Sequence, residues 1–268
     1  MDLNVLHEKL FHMLLMFDGI CRKHNITYYL DSGSAIGAVR DHDFIPWDDD
    51  IDVTITRPDY LKLREVLKKE LPSRYKLIEP KDYEPYFLDF IPKLLDLETP
   101  LRKETERDRA YKNYQNRMSI DFVILDSVPD SKLTQALIKF RCKLFYGMAR
   151  SKRFDDDKSK MSLSEKAMSV VCSFLGRFFK LEKLINMYIN NTVKYADKES
   201  GTFIRSNSLL YFIDFYKKEH YKSVVYMDFH GGKVPLPVGY HEILTKMYGD
   251  YMTPAQGYKG HIVHTEQD

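Results

Sequence analysis

Apolar side chains recur at Leu3, Leu6, Leu10, Met13, Phe17 and Cys21, a single stripe at helical spacing, which predicts an amphipathic helix ending near Lys23. Residues 26–30 read as a buried strand. Gly33 and Ser34 break that strand, and residues 35–40 are expected to form a short helix with Ser34 near its N-cap. After a turn over 41–47, acidic and apolar residues alternate through 50–56, the period-two pattern of a strand. Pro58 suits the first turn of a helix running to about Glu70. Residues 75–78, 87–95 and 119–125 are further predicted strands. The dense charge of 102–117 predicts a loop or a solvated helix.

From Lys132 the pattern changes. Leu133, Leu137, Phe140 and Leu144 mark one helix, a polar stretch over 151–162 reads as a connection, and helices are expected over 164–179 and 181–195. Gly231-Gly232 and Pro235-Leu236-Pro237 then punctuate a short strand-and-turn region ahead of a last helix over 240–248. No internal repeat is visible. The fold class this predicts is α/β (α+β): a mixed α/β half over 1–130, followed by a mainly helical region over 131–268 that completes the substrate pocket.

Composition narrows the function classes. The 268 residues are 44% hydrophobic and 30% charged, an ordinary globular balance, and the net charge of +2 predicts no nucleic-acid partner. Cys21, Cys142 and Cys172 have neither zinc nor redox-motif spacing, as expected of reduced thiols in a cytoplasmic protein. The start lacks the basic and apolar regions of a signal peptide, and the apolar stretch 167–179 is interrupted by Arg177 and too short to span a bilayer.

The chemistry concentrates in Trp47-Asp48-Asp49-Asp50-Ile51-Asp52-Val53-Thr54. On a strand Asp50, Asp52 and Thr54 share one face, which Asp48 joins if the extended conformation reaches back, while Ile51 and Val53 face the core. Like charges on one face repel unless a cation neutralises them, and hard oxygen ligands suit Mg2+ or Mn2+. Most Asp runs are solvated turns, but acids alternating with core residues argue against that here. Upstream, Gly33 and Ser34 offer backbone N–H groups and a hydroxyl to a phosphate, although Gly-Ser is also plain turn chemistry. Arg40 and Lys93 are candidate phosphate contacts, with a surface salt bridge an equal reading for Lys93. Trp47 suits stacking on a base, cation–π contact with a quaternary ammonium, or core packing. His261 and His264 lie in a tail that is expected to line the pocket or to be disordered, and Lys152-Arg153 beside Asp155-Asp156-Asp157 reads as a solvated loop or a gate.

Residues 26–57, with Tyr28-Tyr29-Leu30-Asp31-Ser32-Gly33, Gly37-Ala38-Val39-Arg40 and Phe44-Ile45-Pro46-Trp47-Asp48-Asp49-Asp50-Ile51-Asp52, resemble the LicD family of lipopolysaccharide and teichoic-acid phosphocholine transferases, related to fukutin and fukutin-related protein. Ser119-Ile120-Asp121-Phe122, Lys233-Val234-Pro235-Leu236-Pro237 and residues 244–252 are similar to further family elements, and Ser32-Gly33-Ser34 stands where many members carry Gly-Gly-Thr. The resemblance implies a nucleotidyltransferase-like mixed sheet with flanking helices. It implies that Asp50 and Asp52 are metal ligands, that Asp121 is a third ligand or the general base, and that Asp48 binds a second metal or orients the acceptor.

The implied reaction carries phosphocholine from CDP-choline to a sugar hydroxyl of a glycan precursor, teichoic acid or lipopolysaccharide, and releases CMP. The acceptor is expected to be lipid-linked and met at the inner membrane face, with peripheral membrane contact. Two alternatives remain: transfer of another phospho-alcohol or a nucleotidyl group by the same fold, and a non-catalytic membrane-associated scaffold using residues 167–179.

Overall fold

A computed structural model describes residues 2–155, 161–207 and 213–254; the His261 and His264 tail and the acids Asp156 and Asp157 lie outside them. The opening helix α1, Leu3–Lys23, forms as the stripe predicts. Asp2 caps it by accepting from the Asn4 N–H at 2.8 Å, and Leu6, Leu10, Met13 and Phe17 are buried. Strand β1, Tyr28–Leu30, leads into a short helix α2, Ser32–Ile36, which continues as a π-helical turn over Gly37–Asp41. This corrects the sequence expectation: the helix begins two residues before Ser34, with Asp31 at its N-cap, so Gly33 and Ser34 sit inside the first turn.

Strand β2, Ile51–Thr56, and helix α3, Arg57–Glu70, follow, with Pro58 in the first turn of α3. Next come β3, Tyr75–Ile78, and β4, Lys93–Pro100; the predicted strand over 87–95 therefore starts late, with Pro92 just ahead of it. Helix α4, Glu106–Ala110, and a 3-10 turn at Tyr114–Asn116 fill the stretch before the long strand β5, Arg117–Val128. This charged stretch is not solvated throughout, because Asp108, Tyr111 and Asn116 are buried.

The second half contains helices α5, Lys132–Arg150, α6, Leu163–Gly176, and α7, Leu181–Val193. Strands β6, Thr202–Arg205, and β7, Phe215–Lys217, extend the main sheet, while β8, Val224–Phe229, and β9, Gly232–Pro237, form a hairpin before α8, Tyr240–Tyr248. The result is the expected mixed α/β architecture. The main sheet runs β1-β2-β5-β4-β3, with β6 and then β7 attached beyond β5. Strands β2 and β5 are parallel and the other pairings antiparallel.

Strand β5 is the spine of the sheet. One edge takes β2 from Ile120 to Leu125; the other takes β4 up to Asp121 and β6 from Leu125 onward. Asn207 fills the interval between β4 and β6. Its side chain accepts from the Ile124 N–H and donates to the Phe122 carbonyl, both at 2.8 Å, so the backbone just past Asp121 keeps its hydrogen bonds. Apolar side chains of α1, α3 and the β8–β9 hairpin cover one face as the main core, and α5 and α7 close a second core around Phe90, Ile138, Tyr188 and Ile204.

Candidate active site

The alternation in β2 does what the sequence predicts: Ile51, Val53 and Ile55 are fully buried, while Asp52 is partly accessible on the other face. The parallel register then sets Asp52 directly beside Asp121 on β5. Asp50 stands just ahead of β2, and carboxylate oxygens of Asp50, Asp52 and Asp121 all lie within 4.8 Å of one another. Two neighbouring strands and the loop entering one of them thus bring three acids to one point.

Electrostatics follow from that crowding. Burial and the charges of Asp50, Asp121, Asp31 and Asp48 push the Asp52 carboxyl well above the usual carboxylate range. Asp121 is also raised, burial outweighing the pull of Lys93. Lys93 on β4 is the cross-strand partner of Asp121, and its ammonium donates to Asp121 Oδ2, while the Ser119 hydroxyl donates to Oδ1 at 2.7 Å. Burial works against the Lys93 charge, yet Asp121, Asp89 and Asp50 outweigh it and raise its pKa. The ion pair that the sequence allowed for Lys93 is present, but buried between β4 and β5 and not at the surface.

The helix after β1 supports the acids from below. The Ser34 hydroxyl accepts from the Asp52 backbone N–H at 3.0 Å, so this side chain holds the acidic strand in place. Gly33 lies against Asp48, where a Cβ would stand 2.7 Å from Asp48 Oδ2; any side chain here would displace the carboxylate. The Asp48 carbonyl accepts from His7 Nε2 at 2.8 Å, and the His7 ring stacks on Phe44 at 4.5 Å. Burial lowers the His7 pKa below its ordinary value, outweighing that hydrogen bond. Trp47 is half-buried and packs against the main core.

Asp50 and Lys93 open onto a cavity of about 180 Å³. Its other wall comes from the charged stretch ahead of β5: Arg102, Arg107, Tyr114 and Arg117. Arg102 is anchored by the buried Asp108 at 2.7 Å, and the Arg107 Nε is buried without a hydrogen-bond acceptor. A cavity lined by both acids (Asp50, Asp89) and guanidinium groups fits an anionic ligand bridged to the acids by a cation. Arg40 is not in this wall. Its guanidinium is engaged by Asp41 at 2.7 and 2.9 Å and reaches the Tyr251 carbonyl at 3.4 Å.

Residues 25–86 match the LicD/FKTN/FKRP nucleotidyltransferase domain. The lipopolysaccharide cholinephosphotransferase LicD of Haemophilus influenzae is 29% identical over 265 residues, covering 94% of this chain and 92% of that protein. The chain thus carries a LicD-type segment and is similar to a LicD protein along nearly its whole length. Two uncharacterized proteins, of Rickettsia typhi and Rickettsia prowazekii, share 36% identity over 61 residues and 44% over 45, which is 20% and 17% of their lengths.

The matched LicD segment holds Gly33, Ser34, Asp48, Asp50 and Asp52, but Lys93, Asp121 and the arginine wall lie beyond it. So does Arg205, which sequence reasoning missed altogether. Arg205 is fully buried on β6 and binds both oxygens of Asp31, at 2.8 and 2.7 Å, while the Thr54 hydroxyl donates to the same carboxylate at 2.6 Å. Tyr248 of α8 hydrogen-bonds Ser32. Nothing local in the sequence marks Arg205, and the resemblance over 244–252 includes Tyr248 without assigning it a role, since the partners of both lie far away in the chain. The arginine wall carried a signal, a dense Arg and Tyr run leading into the Ser119-Ile120-Asp121 strand, that reads equally as solvated charge.

Proposed function

We propose that this chain transfers phosphocholine from CDP-choline to a sugar hydroxyl of a cell-surface glycan precursor, releasing CMP, on the cytoplasmic side of a membrane. The observation that carries the reading is the convergence of Asp50, Asp52 and Asp121, with Asp50 lining an arginine-walled cavity. The similarity to a lipopolysaccharide cholinephosphotransferase over nearly the whole chain supports the choice of transferred group.

Three carboxylates with raised proton affinity at Asp52 fit a hard divalent cation, and Asp50, Asp52 and Asp121 would hold Mg2+ or Mn2+. When bound, such an ion neutralises the diphosphate and steadies the leaving CMP. The chain's own groups do the rest. Arg107 and Arg117 take phosphate oxygens of the donor, and Lys93 fixes Asp121 while adding positive charge to the cavity. The acceptor hydroxyl oxygen bonds to the phosphorus that carries choline, the bond to the CMP oxygen breaks, and CMP leaves with the electron pair. Both oxygens of Asp121 already accept hydrogen bonds, so in this reading it serves as a fixed anion. The hydroxyl proton then passes to Asp48, held by Gly33 and by the His7 contact to its backbone.

Incubating the protein with CDP-choline, CDP-glycerol, CDP-ribitol and nucleoside triphosphates, with Mg2+ or Mn2+, and measuring CMP tests this directly. CMP release selective for CDP-choline is expected. Preference for another CDP-alcohol would retire phosphocholine and keep the site; turnover of triphosphates alone would favour nucleotidyl transfer.

A further inference from the structure

Helix α6 is apolar over most of its circumference and buries almost none of it. Among its residues only Cys172 and Gly176 are buried, one i,i+4 line that fits against Gly147, Met148 and Ser151 at the end of α5. Leu163 is 86% exposed, Val170 66% and Phe178, just past the helix, 67%. The stripe that predicted α5 also points outward: Leu133 is 83% exposed and Phe140 62%, while Gln135, Ile138 and Cys142 face the core. Contiguous apolar surface of this kind marks an interaction face.

Charge decides what covers it. Residues 131–154 contain Lys and Arg but no Asp or Glu, in a chain whose net charge is only +2. At the end of α6 basic and aromatic groups interleave: the Arg177 guanidinium lies 5.1 Å from the Phe174 ring centre, Phe174 meets Phe178 edge to face at 5.4 Å, and the Lys183 ammonium lies 5.3 Å from the Phe179 ring centre. A second copy placed on this face would bring like charges together, and a groove would need only a narrow apolar stripe. A planar, anionic, apolar-cored medium matches the wide arc and the basic rim together.

We infer that α5 and α6 form a docking face for an anionic lipid bilayer, with Phe174, Phe178, Val170, Leu163 and the outer stripe of α5 entering the acyl boundary and the Lys and Arg side chains meeting lipid phosphates. No helix among the described residues is long and apolar enough to cross a membrane, so the pair lies on the surface. The inference does not depend on the reaction proposed above.

Co-sedimentation of the full chain with vesicles tests it. The protein should partition onto phosphatidylcholine vesicles containing phosphatidylglycerol, and about tenfold or more weakly onto pure phosphatidylcholine or at high salt. Phe174→Ser with Phe178→Ser, Arg177→Glu with Lys180→Glu, and Leu133→Ser with Phe140→Ser on α5 should each lower partition by about tenfold or more, with circular dichroism unchanged. Absence of wild-type binding to anionic vesicles, or partition indifferent to all three pairs, overturns the assignment. So does a dimer in analytical ultracentrifugation that the Phe174 and Phe178 pair dissolves while vesicle binding persists unchanged.

Discussion

Replacing Arg205 by Met keeps most of the side chain's length and removes the guanidinium that binds both oxygens of Asp31. Asp31 is buried, so its carboxylate would retain the Thr54 hydroxyl and lose two charge-assisted hydrogen bonds. Stranding a buried charge in this way typically costs about 3–5 kcal/mol. A domain of this kind holds a total of about 5–15 kcal/mol, so Arg205→Met should lower the urea midpoint plainly and the melting temperature by on the order of 10 °C. Asp31→Asn alone strands Arg205 instead. The double variant Asp31→Asn/Arg205→Met leaves neither charge behind and should lose less than the sum of the single changes, by about 2 kcal/mol. Urea unfolding of the four proteins measures that coupling. A loss under about 1 kcal/mol for Arg205→Met, or additivity in the double variant, would refute the view that this pair locks the Asp31 end of α2.

Other outcomes follow from the site. Asp50→Asn and Asp52→Asn should each lower CMP release by about a hundredfold or more while melting no lower than the wild type without metal, because each relieves carboxylate repulsion; wild-type turnover at limiting metal would dismiss the acidic cluster as the centre of the reaction. Arg107→Ala and Arg117→Ala should raise the KM for the donor by about tenfold with the fold intact, and unchanged donor kinetics would move the donor out of the cavity. His7 is held below its ordinary pKa, so the unfolded chain binds the proton more readily than the folded one: stability is full above about 6.5 and falls as the pH drops below it. In urea titrations between pH 5 and 7, His7→Phe should flatten that slope, and an unchanged slope would remove His7 from the account.

The apolar stripe located α1 and Pro58 located the start of α3 because both signals are written locally, and the caps at Asp2 and Thr56 agree with them. The acidic strand was legible for the same reason, since alternation fixes which residues share a face. What alternation cannot state is which strand lies alongside, so the pairing of Asp52 with Asp121, and of Asp121 with Lys93, became visible only through the sheet register. The α5 stripe exposes the complementary weakness. Leu133, Leu137 and Phe140 announced a helix correctly, but spacing says only that they share a face, and here that face is the outer one. A Gly-Ser break in an apolar run points to a cap at Ser34, but in the structure the N-cap is Asp31, whose carboxylate is held by Arg205 and Thr54. The arginine wall is not legible in the sequence, since charge density carries no sign of the buried Asp108 that holds Arg102.

The bond between Asp31 and Arg205 joins positions 174 residues apart. During synthesis the Gly33–Ser34 helix and the acids of β2 leave the ribosome long before Asp121, and far ahead of the arginine that neutralises Asp31. A nascent chain arrested after α5 would therefore own every acid of the proposed site and yet keep the Asp31 carboxylate without its arginine. The Asp31 carboxylate meets its arginine only when β6 docks on β5. An interrupted chain would thus carry the acids of the proposed site beside an unneutralised Asp31, and the bond to Arg205 ties the start of α2 to the completion of the sheet.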